Sequence, residues 1–234
     1  NKTILNNPVV IMSGGKGTRL DPFTRVLPKP LIPIGKDPII IKIMDQFGSF
    51  GMKNFYLTIN DKKKMIKAYF HDHDLEYTIN YIEENKPLGT CGSLRYLVNK
   101  FSESIFVTNC DIMIESNYNK ILQFHNSRKN ALTLVGSVQH YTIPYGVCEI
   151  DKGGDLIKIS EKPEYDYLTN TGMYILEPSI LKLIPEDTLF DMTDLIYNMQ
   201  TKKMKIGVFP VSEKSWVDVG QWSEYKNAIQ RMER

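Results

Sequence analysis

The sequence predicts an α/β protein with a mixed, mostly parallel central sheet flanked by helices. Three observations predict it. Short β-branched apolar runs alternate with longer stretches of helical periodicity through the first half. A glycine-rich turn follows the first of those runs and an acidic residue ends a later one, the places where parallel sheets present their ligands. Beyond about residue 138 the patterns shorten and strands come closer together. A βαβ half over about 8–138 is therefore expected to be covered by a more β-rich half over about 139–234, within one domain.

In chain order, Val9-Val10-Ile11-Met12 reads as a buried strand. Pro38 to Phe50 reads as a helix with Ile39, Ile43, Met44 and Phe47 on one face. Asn54 to Ile59 is a second strand, and Asp61 is expected to cap a helix running to about Phe70. The string His71-Asp72-His73-Asp74 invites a metal reading. Alternating residues on an irregular segment do not converge without a scaffold, so it reads as a polar helix exit. Tyr77 to Ile82 is a third strand, Leu88 to Val98 a helix, and Ser104 to Thr108 a fourth strand ending at Asn109-Cys110-Asp111. Ser116 to Asn126 is a helix and Ala131 to Val138 a fifth strand. Short strands follow at Val147 to Ile150, Leu156 to Ser160 and Gly172 to Leu176, with turns at Gly153-Gly154 and Pro163. Helices at Ser179 to Ile184 and Asp191 to Met199 precede strands at Ile206 to Val211 and Trp216-Val217 that close a sheet. Gln221 to Met232 is a final helix.

Composition narrows the function. Hydrophobic residues make up 42% of the 234, charged residues 24%, and the net charge is +2, so no basic field argues for nucleic acid. No apolar run has membrane-spanning length. Cys91, Cys110 and Cys148 are scattered without metal-ligand spacing, which fits reduced, buried thiols in a cytoplasmic protein.

The turn after the first strand carries the chemistry: Gly14-Gly15-Lys16-Gly17-Thr18-Arg19-Leu20-Asp21-Pro22-Phe23-Thr24, continued by Pro28-Lys29-Pro30 and Pro33. Glycines let backbone approach a ligand closely, and successive N–H groups in such a turn point into one concavity suited to phosphate. Arg19 and Lys29 add fixed positive charge. The Walker loop is excluded, because no glycine here precedes four residues and then Gly-Lys-Ser/Thr. The dinucleotide fingerprint is excluded because Leu20 stands where its third glycine belongs. The whole string resembles the signature of the sugar-1-phosphate nucleotidyltransferases, with Ser13 in place of the usual Ala and Asp21 where Arg is common. Further motifs in family order extend the resemblance from Val9 to about Ala228. It implies a Rossmann-like nucleotidyltransferase fold.

The resemblance also implies roles. Ser13, Gly14, Gly15, Gly17 and Thr18 would cradle the nucleotide, with Arg19 and Lys29 catalytic. Asp111 and Asp218, the latter within Trp216-Val217-Asp218-Val219-Gly220, match the family's two metal-binding acids and would hold Mg2+. Asp111-Ile112-Met113 lacks the Asp-x-Asp of enzymes that transfer sugars from nucleotide sugars. Glu161-Lys162-Pro163 matches Glu-Lys-Pro; alone it is an ordinary surface turn, and by resemblance Lys162 holds the sugar phosphate and Glu161 a sugar hydroxyl. Tyr145-Gly146 and Asn170-Thr171-Gly172-Met173-Tyr174 match sugar-binding motifs, which places Gly146, Asn170 and Tyr174 at the sugar, although core packing accounts for Tyr174 equally well. Leu88-Gly89-Thr90-Cys91-Gly92 matches the loop that carries the base, through Gly89 and Thr90. Glu84 stands where uridylyl- and thymidylyltransferases commonly carry Gln and guanylyltransferases often Glu. A carboxylate only accepts, which suits the adjacent donors of guanine.

The expected reaction joins a nucleoside triphosphate, GTP by the Glu84 argument, to a sugar 1-phosphate, giving a nucleotide sugar and pyrophosphate. The finer resemblance is to a branch whose catalytic domain follows a pair of CBS regulatory domains. It makes GDP-glucosamine for legionaminic acid synthesis, and this chain, starting at Asn1 rather than Met, is expected to be a piece of such a protein. A mannose- or heptose-1-phosphate guanylyltransferase would look much the same, and a uridylyl- or thymidylyltransferase remains an alternative, as does a homo-oligomer. A non-catalytic nucleotide-sugar-binding subunit would usually have lost one of Arg19, Lys29, Asp111, Lys162 or Asp218, and all are present.

Overall fold

In the computed structural model, residues 4–15, 17–60, 62–220 and 225–226 are described. The elements in chain order are β1 (Val9–Met12), α1 (Phe23–Val26), β2 (Pro33–Ile34), β3 (Asp37–Pro38), α2 (Ile39–Gly48) and β4 (Asn54–Ile59). Then come α3 (Lys63–Asp72), β5 (Thr78–Glu83), β6 (Ile105–Asn109), β7 (Ile112–Ile114), α4 (Tyr118–Arg128) and β8 (Leu132–Thr142). The remainder is β9 (Val147–Ile150), β10 (Leu156–Ser160), β11 (Glu164–Leu176), α5 (Met192–Thr201), β12 (Ile206–Ser212) and β13 (Trp216–Asp218).

Seven strands form the central sheet in the order β12-β8-β11-β6-β1-β4-β5. Every neighbouring pair is parallel except the two made by β11, which runs antiparallel to both β8 and β6. This is the mixed, mostly parallel Rossmann-like sheet that the strand and helix patterns predict. Both faces are covered, and β1 shows why its sequence is continuously apolar: Val9 and Ile11 enter one core with α2 and α4, while Val10 and Met12 enter another with α5. Pro38 starts α2 from an extended conformation, and Ile39, Ile43, Met44 and Phe47 are all buried. Phe47 packs edge-on against Phe55 and Phe106 and lies 4.8 Å from Tyr118.

Several expectations need correction. Residues 88–98 are not one helix: Gly89 takes a φ of 78° and the helical part is a short 3-10 segment, Gly92–Leu97. Pro178–Leu183 is likewise 3-10, with Pro at its start. The strand expected from Gly172 begins at Glu164 and makes β11 thirteen residues long, and β8 continues to Thr142 to pair with it. Trp216 to Asp218 does not join the main sheet but pairs antiparallel with β7, a strand the sequence did not reveal. Cys91 and Cys110 are buried, whereas Cys148 is exposed on β9. Asp61 and most of the final helix, Gln221 to Met232, lie outside the described residues. No helix among the described residues is long and apolar enough to cross a membrane.

Candidate functional site

Met12, the last residue of β1, stands in register between Thr58 of β4 and Asn109 of β6. The loops after β1 and β6 therefore open at one sheet edge, at strand carboxyl ends. Ser13 is buried there; its N–H donates to the Thr58 hydroxyl at 2.9 Å and its own hydroxyl donates to the Thr58 carbonyl. Gly14 runs so close over Glu84 that a Cβ there would lie 2.8 Å from a carboxylate oxygen. Gly17 has a φ of 66° and faces Thr24 and the Lys29 stem. Gly14 is thus favoured by space and Gly17 by both conformation and space.

Two cavities adjoin. One, of about 340 Å³, is walled by Gly14, Gly15, Gly17 and Thr18 on one side and by Glu84, Gly89 and Thr90 on the other. The second, of about 300 Å³, is walled by Asn170, Tyr174, Thr193 and Asp218. Arg19, Thr90 and Asp111 belong to both walls. Lys29 lines the first and is ion-paired to Asp111, with both side chains nearly buried. Glu84 is 4% exposed. Burial pushes its carboxyl up, while the Ser93, Asn60 and Thr58 side chains and the Leu88 amide favour its charged form. Burial also pushes the Cys110 thiol up to about 12 and raises that of Cys91, so neither offers a thiolate near neutral pH.

Asp111 lies two residues past the end of β6, and β13 brings Asp218 opposite Ile112. Val219 N–H donates to the Asp111 carbonyl at 2.9 Å and Gly220 N–H to Asp218 Oδ1 at 2.7 Å. A Cβ on Gly220 would lie 2.9 Å from Asp218 Oδ1 and closer still to Asp111 Oδ2, so the two carboxylates converge on one glycine. Among the described residues no group of three or more His, Cys, Asp or Glu could hold a metal. Two converging carboxylates still fit Mg2+, a hard cation that commonly takes one or two carboxylates and completes its octahedron with phosphate oxygens and water. Asp218 feels the pairing: burial and then Asp111 raise its carboxyl above the usual range, against the Gly220 N–H, Lys29 and Arg19.

The register of β11 shifts between Asn170 and Tyr174, and Gly172 within that bulge has a φ of 86°. The bulge places Asn170 and Tyr174 in the second cavity, where Asn170 Nδ2 donates to the Tyr174 hydroxyl at 2.6 Å. Tyr174 also packs in the core, as its packing reading expects. Gly146, Glu161 and Lys162 come together elsewhere, at the base of the β9–β10 hairpin. A Cβ on Gly146 would lie 3.2 Å from Glu161 Oε2, and Lys162 N–H donates to the Tyr145 carbonyl at 3.3 Å. These three are exposed and line neither cavity. Sequence reasoning missed Leu189, which lines the first cavity, and Asp191 behind Thr90. The readable signal was Asp191 with Asp194, the spacing of a helix-capping pair.

A family model described as nucleotidyl transferase matches residues 8–234. The chain is 30% identical to mannose-1-phosphate guanyltransferase of Pichia angusta over 231 residues, 94% of this chain and 62% of that protein. It is 27% identical to UTP--glucose-1-phosphate uridylyltransferase of Synechocystis, covering 94% of this chain and again 62% of the relative. The chain thus spans less than two thirds of the length of these relatives. Crystal structures of HddC from Yersinia pseudotuberculosis, one complexed with GMP-PN, share 25% identity and superimpose with a TM-score of 0.74 over 97% of this chain and 99% of theirs.

Proposed function

The chain belongs to the nucleotidyl transferase family, and from that premise we propose that it joins a nucleoside triphosphate to a sugar 1-phosphate and releases pyrophosphate. The observation that carries this is the meeting of two cavities at Arg19 and Asp111. A nucleotide in the first would bring its α-phosphorus to that junction, and a sugar phosphate in the second would approach from the other side. A phosphate oxygen of the sugar attacks the α-phosphorus, the bond to the β-phosphate oxygen breaks, and pyrophosphate leaves with the electron pair. No protein nucleophile is needed, because the attacking oxygen is already anionic. The protein's work is positioning and charge. The glycine loop holds the triphosphate through backbone N–H groups, and the Arg19 guanidinium faces the negative charge that builds in transfer. Asp111 and Asp218 would hold Mg2+, which when bound neutralises phosphate charge. Asn170 and Tyr174 are assigned to the sugar; the family resemblance assigns Gly146 and Glu161 to the sugar as well and Lys162 to its phosphate, from the β9–β10 hairpin outside both cavities.

We assign GTP as the preferred nucleotide. Glu84 sits in the nucleotide cavity as an acceptor, and the guanyltransferase relatives support the same base. They also favour mannose 1-phosphate over the glucosamine 1-phosphate expected from the finer sequence resemblance. The uridylyltransferase relative keeps UTP as the second reading. The test is pyrophosphate release from GTP, UTP and dTTP, each with mannose, glucosamine and glucose 1-phosphates, in wild type and Glu84→Gln. GTP with mannose 1-phosphate is expected to lead. Glu84→Gln is expected to lower the GTP-to-UTP ratio of kcat/KM roughly ten- to a hundredfold, the effect of one mismatched buried contact. A wild type that prefers UTP overturns the base assignment, and no release with any pair overturns the function.

A further inference from the structure

We propose that Asp191 is a positioning residue that fixes the nucleobase loop through Thr90 and ties that loop to the wall of the sugar cavity. The inference rests on the first cavity holding the nucleotide. Between β5 and Gly92 the chain has no regular structure of its own, yet Leu88, Gly89 and Thr90 form part of that cavity's wall. Their placement comes from a segment about a hundred residues away in sequence. Asp191 Oδ1 accepts from the Thr90 N–H at 2.8 Å and from the Thr90 hydroxyl at 3.0 Å. The same hydroxyl accepts from Met192 N–H at 3.0 Å. Next to this, the Phe190 carbonyl accepts from Cys91 N–H and Gly92 N–H, each at 3.0 Å, and Phe190 N–H donates to the Leu88 carbonyl at 3.0 Å. A Cβ on Gly89 would stand 2.7 Å from the Phe190 carbonyl oxygen and 2.8 Å from Asp191 Oδ1, so the two segments are in close backbone contact.

The other side of the clamp is helical. Asp191 is the N-cap of α5 in a reciprocal box with Asp194, and its N–H donates to Asp194 Oδ2 at 2.9 Å. The first turn of α5 supplies Met192 and Thr193 to the second cavity. One carboxylate therefore sets the base loop relative to the surface that receives the sugar. Asp191 itself lines neither cavity, so it acts through Thr90 and not by touching a ligand. A carboxylate accepting two donors from one residue holds that residue in both position and rotation.

The test is calorimetric GTP binding by wild type, Asp191→Ala, Asp191→Asn and Thr90→Val, followed by kcat and KM for GTP. Asp191→Ala is expected to raise the Kd and KM for GTP about tenfold, with a smaller change in kcat, as loss of two charge-assisted hydrogen bonds to a ligand-bearing loop should do. Asp191→Asn keeps the accepting oxygen and is expected to stay within about threefold of wild type. A residue that only caps α5 would lower Tm and leave the Kd of the folded protein unchanged; that result overturns the proposal. Should Asp191→Ala not fold, Thr90→Val is expected to weaken GTP binding about threefold or more and Thr90→Ser to restore it. Unchanged binding in Thr90→Val overturns the clamp. A wild type that binds none of GTP, UTP and dTTP overturns the functional reading and the clamp together. A wild type that binds one of them, with variants that bind it equally well, overturns the clamp alone.

Discussion

Asp218 carries its charge at a place that disfavours it. Burial is the larger cause and the neighbouring Asp111 adds to it; both raise the carboxyl's pKa in the folded protein. The folded state then binds the proton more tightly than the unfolded state does. That contribution to stability is present at acid pH and is lost as pH rises through the folded value. The ionised form that a metal requires is therefore the form that destabilises the apoprotein. Asp218→Asn is expected to raise Tm by more at pH 8 than near pH 4, at the ordinary carboxyl range, while slowing nucleotidyl transfer on the order of 10²–10³-fold. Calorimetry at the two pH values and a pyrophosphate assay check both halves, and an equal Tm shift at both would break the link to Asp218's titration. At this scale the sequence was informative wherever a residue type is chemically forced. The glycines, Arg19, Lys29, Asp111 and Asp218 could be named, and they do line one pair of cavities. Why Gly220 must be glycine could not be read, because its neighbour Asp111 lies more than a hundred residues away and the clash exists only once β13 meets β7.

The elements that were legible are those with a long periodic signal. α2 shows its buried face in sequence, and β1, β4 and β6 are short enough and apolar enough to be recognised. β7 was not, because three apolar residues after an acidic turn carry no periodicity and its partner is far along the chain. The loop at Leu88 to Cys91 looked helical because its apolar spacing suits a helix; the contacts with Phe190 and Asp191 override that local preference. The contribution of α2 can be tested apart from the site. Phe47 is 1% exposed and touches three other aromatic rings, none of which lines either cavity. Phe47→Ala is expected to cost about 3–5 kcal/mol and to lower Tm by roughly 6–20 °C. Below the new Tm, kcat and KM should stay near wild type. A changed KM for GTP would mean that the core under α2 shapes the nucleotide cavity directly.

Across the whole molecule, the halves expected from the sequence share one sheet. β11 is the weld, antiparallel to β6 of the first half and to β8, and its bulge carries Asn170 and Tyr174 to the edge where β1 and β6 end. The two cavities proposed for nucleotide and sugar therefore do not face each other across a linker; they adjoin along a common sheet edge with Arg19 and Asp111 in both walls. Such a junction supports direct transfer from one bound phosphate to another. The measurement that tests this most directly supplies the protein with Mg2+, mannose 1-phosphate and GTP made chiral at its α-phosphorus by one sulfur, and reads the configuration at that phosphorus in the nucleotide sugar formed. Direct in-line attack predicts inversion. Retention, which needs two displacements through a nucleotidyl-protein intermediate, or GTP consumed without any nucleotide sugar formed, would contradict direct transfer at the junction of the two cavities.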